Sequence, residues 1–309
     1  MPMDIETYRD LGLDRPAPVE VNGHTFIADF PPAMNHPGDA VYHPCAEAYP
    51  GPDTAAGAIA RFPDWDQTRL YEGTIRDLAI YRPAGFDAGE PANLVVFNDG
   101  GMYLNAEGPV RAAKVLDSLH AKAEIAPTIA VFVNPGRPRD ARMGSNAATV
   151  QRSREYDSLS DTYGRFLIED LLPFVERAEG VKLSPDPARR IVCGISSGGI
   201  CAFTAAWRFP EQFGGVLSHC GSFTNIRGGD AYPYLVRSTP RKPIRAFLQG
   251  GENDGRAIYG DWPLANQQMA AALAFSGYDH HFEYGTGGHT LRHAGAVMAD
   301  SLRWLWRAG

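Results

Sequence analysis

The sequence predicts an α/β fold with a mainly parallel central sheet and helices on both faces. Two observations predict it: short apolar runs that end at Gly, Asn or Pro, and helical patterns that alternate with those runs from residue 70 onward. Apolar runs of this kind suit strands covered on both faces. Strand and helix in alternation build βαβ units, whose sheet is parallel. Ligands of such sheets bind at the carboxyl ends of the strands.

In chain order, TIRDLAIYRP (74–83) alternates like a half-buried strand, and NLVVF (93–97) and TIAVFV (128–133) are strands separated by the helical PVRAAKVLDSLHAKA (109–123). The helix DTYGRFLIEDLLPFVERA (161–178) leads to the strand RIVCGI (190–195), and the helix GGICAFTAAWRF (198–209) leads to GGVLSHC (214–220). The strand IRAFLQ (244–249), the helix PLANQQMAAALAFSG (263–277), the strand end HFEYG (281–285) and the helix HAGAVMADSLRWLWR (293–307) complete the pattern. Residues 1–68 differ in texture, being rich in Pro, Gly and Ala, with one strand pair expected near Val19 to Phe30. That stretch has too few large apolar residues for a core of its own. It reads as an irregular arm packed on a main domain at 69–309.

Lys plus Arg number 29 against 36 Asp plus Glu, a net charge of −7, and no basic run exceeds two residues. This balance argues against nucleic acid and against an anionic membrane surface as partner. Asp4 and Glu6 interrupt the start of the chain and no eighteen apolar residues run together, so a cytoplasmic address is expected. The cysteines Cys45, Cys193, Cys201 and Cys220 lack metal or redox spacing, and three of them fall in apolar segments that suit buried free thiols. No dinucleotide loop, P-loop or HExxH occurs, so neither a cofactor nor a metal is expected.

Gly194-Ile195-Ser196-Ser197-Gly198 fits G-x-S-x-G between the strand-like RIVC and a helical pattern. Such a nucleophile elbow needs small flanking residues, because the turn is tight and lifts the serine above the sheet edge. The helix behind it offers backbone N–H groups to a developing oxyanion. A serine needs a base, and in this architecture the partners follow as Ser, acid, His. GGENDG supplies Glu252 and Asp254, and TGGH ends in His289 at a predicted strand end. His219, His280, His281 and His293 are further candidates for the base.

The segments FNDGGMY, SREYDSLSDTYGRFLIEDLLP, CGISSGG, LSHCGSF, FLQGGENDG and GGHTLRH, in this order, resemble the esterase family that includes esterase D, enterochelin esterases and feruloyl esterases. The resemblance spans about residues 70 to 307 and implies an α/β-hydrolase fold and serine-dependent ester hydrolysis. It implies His289 as the histidine and Asp254 as the acid, with Glu252 as the fallback. The hypothesis that follows has Ser196 attacking an ester carbonyl while His289 takes its proton and Asp254 orients the imidazole. Oxyanion donors are expected from Ser197 and from the loop holding Gly100, Gly101 and Met102.

Substrate contacts are expected from Tyr103, Arg227 and Trp262, which suit a siderophore-type or phenolic ester. Arg154 and Glu155 are expected to form a structural ion pair. Trp304 and Trp306 on the last helix suit core packing or a subunit contact, which leaves a homo-oligomer open. Two other readings stand beside the esterase: an acyltransferase using the same acyl-enzyme, and a non-catalytic scaffold for binding.

Overall fold

In the computed structural model, residues 19–21, 24–26 and 36–308 are described. The hairpin expected near Val19 to Phe30 is present as β1 (Val19–Val21) antiparallel to β2 (His24–Phe26); residues 27–30 lie outside the described residues. The main sheet is built from β3 (Ala58–Trp65), β4 (Thr74–Arg82), β5 (Asn93–Asn98), β6 (Thr128–Val133), the two-residue β7 (Arg137–Pro138), β8 (Arg190–Ile195), β9 (Gly215–His219) and β10 (Arg245–Gly251). A small hairpin of β11 (Arg256–Ala257) and β12 (Gly260–Asp261) stands apart, and β13 (Asp279–Gly285) closes the sheet. The order across it is β13-β10-β9-β8-β5-β6-β4-β3, with β7 beside β4. From β6 to β13 every neighbouring pair is parallel, whereas β4 runs antiparallel to both β3 and β6.

The helices are α1 (Gly100–Leu104), α2 (Ala112–Ala121), α3 (Asn146–Tyr156), α4 (Thr162–Arg165), α5 (Leu172–Glu179), α6 (Ser197–Arg208), α7 (Tyr232–Ser238), α8 (Trp262–Phe275) and α9 (Arg292–Trp306). Alternate side chains of one strand serve opposite faces, since the strand period is two. Leu94 and Val96 of β5 join Phe166, Phe203 and Met269 in one core, while Val95 and Phe97 join Leu116, Met298 and Leu302 in the other. This is the α/β-hydrolase arrangement, with β5, β6 and β9 buried at every residue, as their uninterrupted apolar runs require.

Three elements depart from the sequence expectation. Ala58–Trp65, inside the stretch read as irregular, is the edge strand β3. It is mostly exposed and bulged between Phe62 and Trp65, where Pro63 and Asp64 (φ 50°) sit, so it carries no apolar run to betray it. Helix α3 was not expected because its own apolar side is thin; Ser145 caps it by accepting the Ala148 N–H. The 161–178 helix is broken by a π-helical turn at Phe166–Leu171, just ahead of Pro173, whose missing N–H disrupts regular pairing. Among the described residues no helix is long and apolar enough to cross a membrane.

Candidate active site

Ser196 follows β8 directly and precedes α6, with φ 59° and ψ −123°, a conformation that costs a non-glycine residue about 1–3 kcal/mol. The tightness of the turn explains its glycines. A Cβ on Gly194 would lie 2.3 Å from the carbonyl oxygen of Gly198, and one on Gly198 would lie 3.0 Å from Asp99 Oδ2. The Ser196 N–H donates to the carbonyl of His219 at 2.9 Å, tying the elbow to the end of β9.

The loop after β10 brings Asp254 and the loop after β13 brings His289 to this serine. His289 Nδ1 lies 2.5 Å from Asp254 Oδ1, and Nε2 lies 2.9 Å from Ser196 Oγ. Asp254 is fully buried and His289 is 7 % exposed. Asp254 Oδ1 also accepts the Gly255 N–H at 2.6 Å. A carboxylate holding Nδ1–H leaves Nε2 as the acceptor that a serine proton needs. Of the two acids in GGENDG, the structure brings Asp254 to His289; Glu252 is exposed, and its backbone N–H pairs with Gly285.

Residues 38–42 take part in holding this loop. Tyr42 Oη accepts the Thr286 N–H at 2.9 Å, Thr286 Oγ1 donates to the Gly38 carbonyl at 3.0 Å, and Thr290 Oγ1 donates to Asp39 Oδ1 at 2.8 Å. The other candidate histidines stand elsewhere: His293 stacks on Tyr42, His281 meets Glu283, and His280 meets the Tyr278 carbonyl. His219 is fully buried 2.8 Å from the Tyr103 hydroxyl, and burial lowers its pKa to about 3.

Ser197 is the first residue of α6, where helix geometry leaves the N–H without an intrahelical acceptor. Two of the N–H groups in the opposite loop are engaged. Met102 N–H is spent on Asp99 O at 2.9 Å within its own helix, and Gly101 N–H donates to Asn134 Oδ1 at 3.0 Å. Substrate would have to displace Asn134 to use Gly101. The loop itself is clamped by α3: Arg152 makes a bidentate pair with Asp99 at 2.9 and 2.8 Å, and the Asp99 N–H donates to the Tyr156 hydroxyl at 3.1 Å. Asp99 thereby keeps a left-handed φ of 52°.

Two of the three substrate-contact expectations meet corrections. Tyr103 and Trp262 are fully buried, the first on His219 and the second donating its indole N–H to Ser222 Oγ at 3.1 Å beside the His289 ring. Neither presents a face to a ligand, because each fills space between the sheet ends and the helices. Arg227 donates to Ser153 Oγ at 3.2 Å. The ion partner of Glu155 is Arg76 of β4 at 2.8 Å, both side chains fully buried, while Arg154 is exposed. Residues given no role by the sequence, Asn134, Arg152, Tyr156 and Ser222, shape the site; Tyr156 and Ser222 stand inside the recognised segments SREYDSLSDTYGRFLIEDLLP and LSHCGSF, and Asn134 and Arg152 stand in none.

Cys220, Asp254 and His289 offer ligand-type atoms within 4.8 Å of one another, but the 2.5 Å contact between acid and imidazole fills the space where an ion would stand. All four cysteines are free thiols, with Cys193, Cys201 and Cys220 buried. A cleft of about 340 Å³ beside the Asp99 loop is bordered by Met102, Met143, Asn134 and Arg152.

Comparison with known proteins places the chain in a family. The family described as "Putative esterase" matches residues 72–305. The chain belongs to this family. The iron(III) enterobactin esterase of Dickeya dadantii is 32% identical over 148 residues, which cover 44% of this chain and 33% of that protein. The structure of enterobactin esterase from Shigella flexneri superposes with a TM-score of 0.64 at 22% identity, covering 86% of this chain and 62% of that one. A ferulic acid esterase of Anaeromyces mucronatus gives 0.65 at 14% identity, over 85% of this chain and 95% of that one. The chain thus spans a third of the length of the Dickeya relative and less than two thirds of the Shigella one, and the distant structures share the fold.

Proposed function

We propose that this member of the esterase family is a serine carboxylic-ester hydrolase acting in the cytoplasm, with Ser196 as nucleophile, His289 as base and Asp254 as orienting acid. The observation that carries the reading is the continuous contact Ser196–His289–Asp254, at 2.9 and 2.5 Å, on a strained elbow. Ser196 Oγ bonds to the ester carbonyl carbon as its proton passes to His289 Nε2. The carbonyl oxygen, now negative, faces the Ser197 N–H. His289 returns the proton to the departing alcohol, and water then hydrolyses the acyl-enzyme with His289 again as base.

The substrate class proposed is an ester that carries an aromatic ring on its acyl or alcohol side, of siderophore or phenolic type. Its support is the naming of the relatives for enterobactin and ferulic acid, together with the exposed Met102 and Met143 at the cleft, since thioether sulfur makes favourable contacts with aromatic rings. Intact-mass labelling with a fluorophosphonate, beside a panel of acetyl, butyryl, feruloyl and catecholate esters, tests both parts. A single adduct on Ser196 with fastest turnover of the aromatic esters is expected. A folded protein that takes no adduct overturns the triad, and preference for the acetyl ester overturns the substrate class.

A further inference from the structure

Ser222 is 1 % exposed, with its Oγ 3.2 Å from Ser196 Oγ and 3.1 Å from Trp262 Nε1. Counting protons gives every bond in this chain one direction. The indole N–H can only donate, so Trp262 donates to Ser222. At the far end Asp254 accepts from the Nδ1–H of His289, so Nε2 accepts, and Ser196 spends its single hydrogen there. Ser196 Oγ has nothing left to give and accepts from Ser222.

We infer that Ser222 is a further catalytic residue, its hydroxyl donating to the nucleophilic oxygen of Ser196 while the Trp262 indole polarises it. The inference rests on reading Ser196, His289 and Asp254 as the triad. In the resting site the bond holds the Ser196 hydroxyl in the rotamer that aims its proton at His289. As that proton leaves for Nε2, Oγ carries partial negative charge until its bond to the carbonyl carbon passes the charge to the carbonyl oxygen, and over that interval the same bond becomes charge-assisted and strengthens. A contact that is stronger in the transition state than in the ground state raises kcat and not merely affinity.

The fold delivers Ser222 deliberately. Cys220, one residue past β9, takes a left-handed φ of 46° and turns the chain back over the elbow. The Ser222 N–H then donates to the Ser196 carbonyl at 3.0 Å. Gly221 has no room for a Cβ, which would lie 2.5 Å from Ser218 Oγ. Trp262 arrives from the start of α8, whose N-cap Asp261 accepts the Leu264 N–H at 3.0 Å.

The test compares wild type with Ser222→Ala, Ser222→Thr and Trp262→Phe, measuring kcat and KM on a feruloyl ester and the rate of fluorophosphonate labelling at Ser196. Ser222→Ala is expected to lower kcat and the labelling rate about tenfold with KM nearly unchanged, and Trp262→Phe about threefold, the scale of one hydrogen bond at the reacting atom. Ser222→Thr, which keeps the hydroxyl, is expected to restore most of the rate. Wild-type or faster kcat and labelling in Ser222→Ala overturns the inference, whereas failure of the triad reading shows instead as a wild-type protein that takes no label. Should Ser222→Ala fail to fold, Trp262→Phe decides, and wild-type rates there overturn the inference equally.

Discussion

The two ends of the parallel sheet are built on opposite plans. At the carboxyl end, three strands adjacent in the sheet, β5, β8 and β9, are each followed at once by a non-glycine residue with positive φ: Asp99, Ser196 and Cys220. The side chains around them are buried and polar, and they bond to one another. At the amino end lies a cleft of about 720 Å³ lined by Arg189, Arg241, Lys242, Arg245, Asp279 and Arg307 among others, roughly twice the volume of the cleft beside the Asp99 loop. Its charged groups are held in ordinary ways: Asp279 takes Arg245 at 2.7 Å and Arg307 at 2.6 Å, and Arg189 donates to Asn93 at 2.6 Å. Cavity size therefore does not locate the chemistry here. Stored backbone strain and a directed set of buried hydrogen bonds do, since strain persists only where surrounding structure enforces it.

The sharpest break of this contrast comes from the carboxyl end. Ser196→Ala is expected to lower kcat by at least about 10⁴-fold while circular dichroism and thermal unfolding stay native-like; measurable turnover near wild type would remove Ser196 from the mechanism. Asp254→Asn is expected to cost about 10⁴-fold, because an amide favours the wrong imidazole tautomer, against less than about threefold for Glu252→Gln. The reverse order in a kcat comparison would make Glu252 the acid.

Acid should find the same end. His219, the last residue of β9, is held neutral by burial down to about pH 3, while an unfolded chain protonates it near 6.5. Between those values the unfolded state binds more protons, so stability falls as pH falls, by up to about 1.4 kcal/mol per pH unit from this group. Urea unfolding of wild type and His219→Gln from pH 7 to 4.5 measures it, the variant being expected to show the shallower slope. His120, lowered to about 4 by burial, adds a slope of the same sign in both proteins. The smallest effect belongs to the amino end: Arg245→Ala, at a partly exposed ion pair, is expected to cost about 1 kcal/mol in unfolding and nothing in kcat. A kinetic defect there would show that the two ends are coupled.

The alternation of apolar runs and helices was legible in the sequence because those elements are specified locally, by period and by turn residues. NLVVF, TIAVFV and RIVCGI could be nothing but covered strands, and the elbow glycines announced a turn too tight for side chains. The order of serine, acid and histidine was legible for the same reason, each standing at a strand end. β3 and α3 were not, because an exposed edge strand and a polar helix bury too little of their own to leave a pattern, and only partners supplied by the rest of the chain make them form: β4 for one, the Arg76–Glu155 and Arg152–Asp99 pairs for the other.

Tertiary structure alone decided the polarity of the site. It chose Asp254 over Glu252 by burying the first against His289, and it enclosed Tyr103 and Trp262, whose aromatic rings suggested ligand contacts in the sequence. It turned Ser222 onto Ser196 across 26 residues. Burial and hydrogen-bond direction depend on what the distant chain places opposite a residue, and no local pattern carries that information.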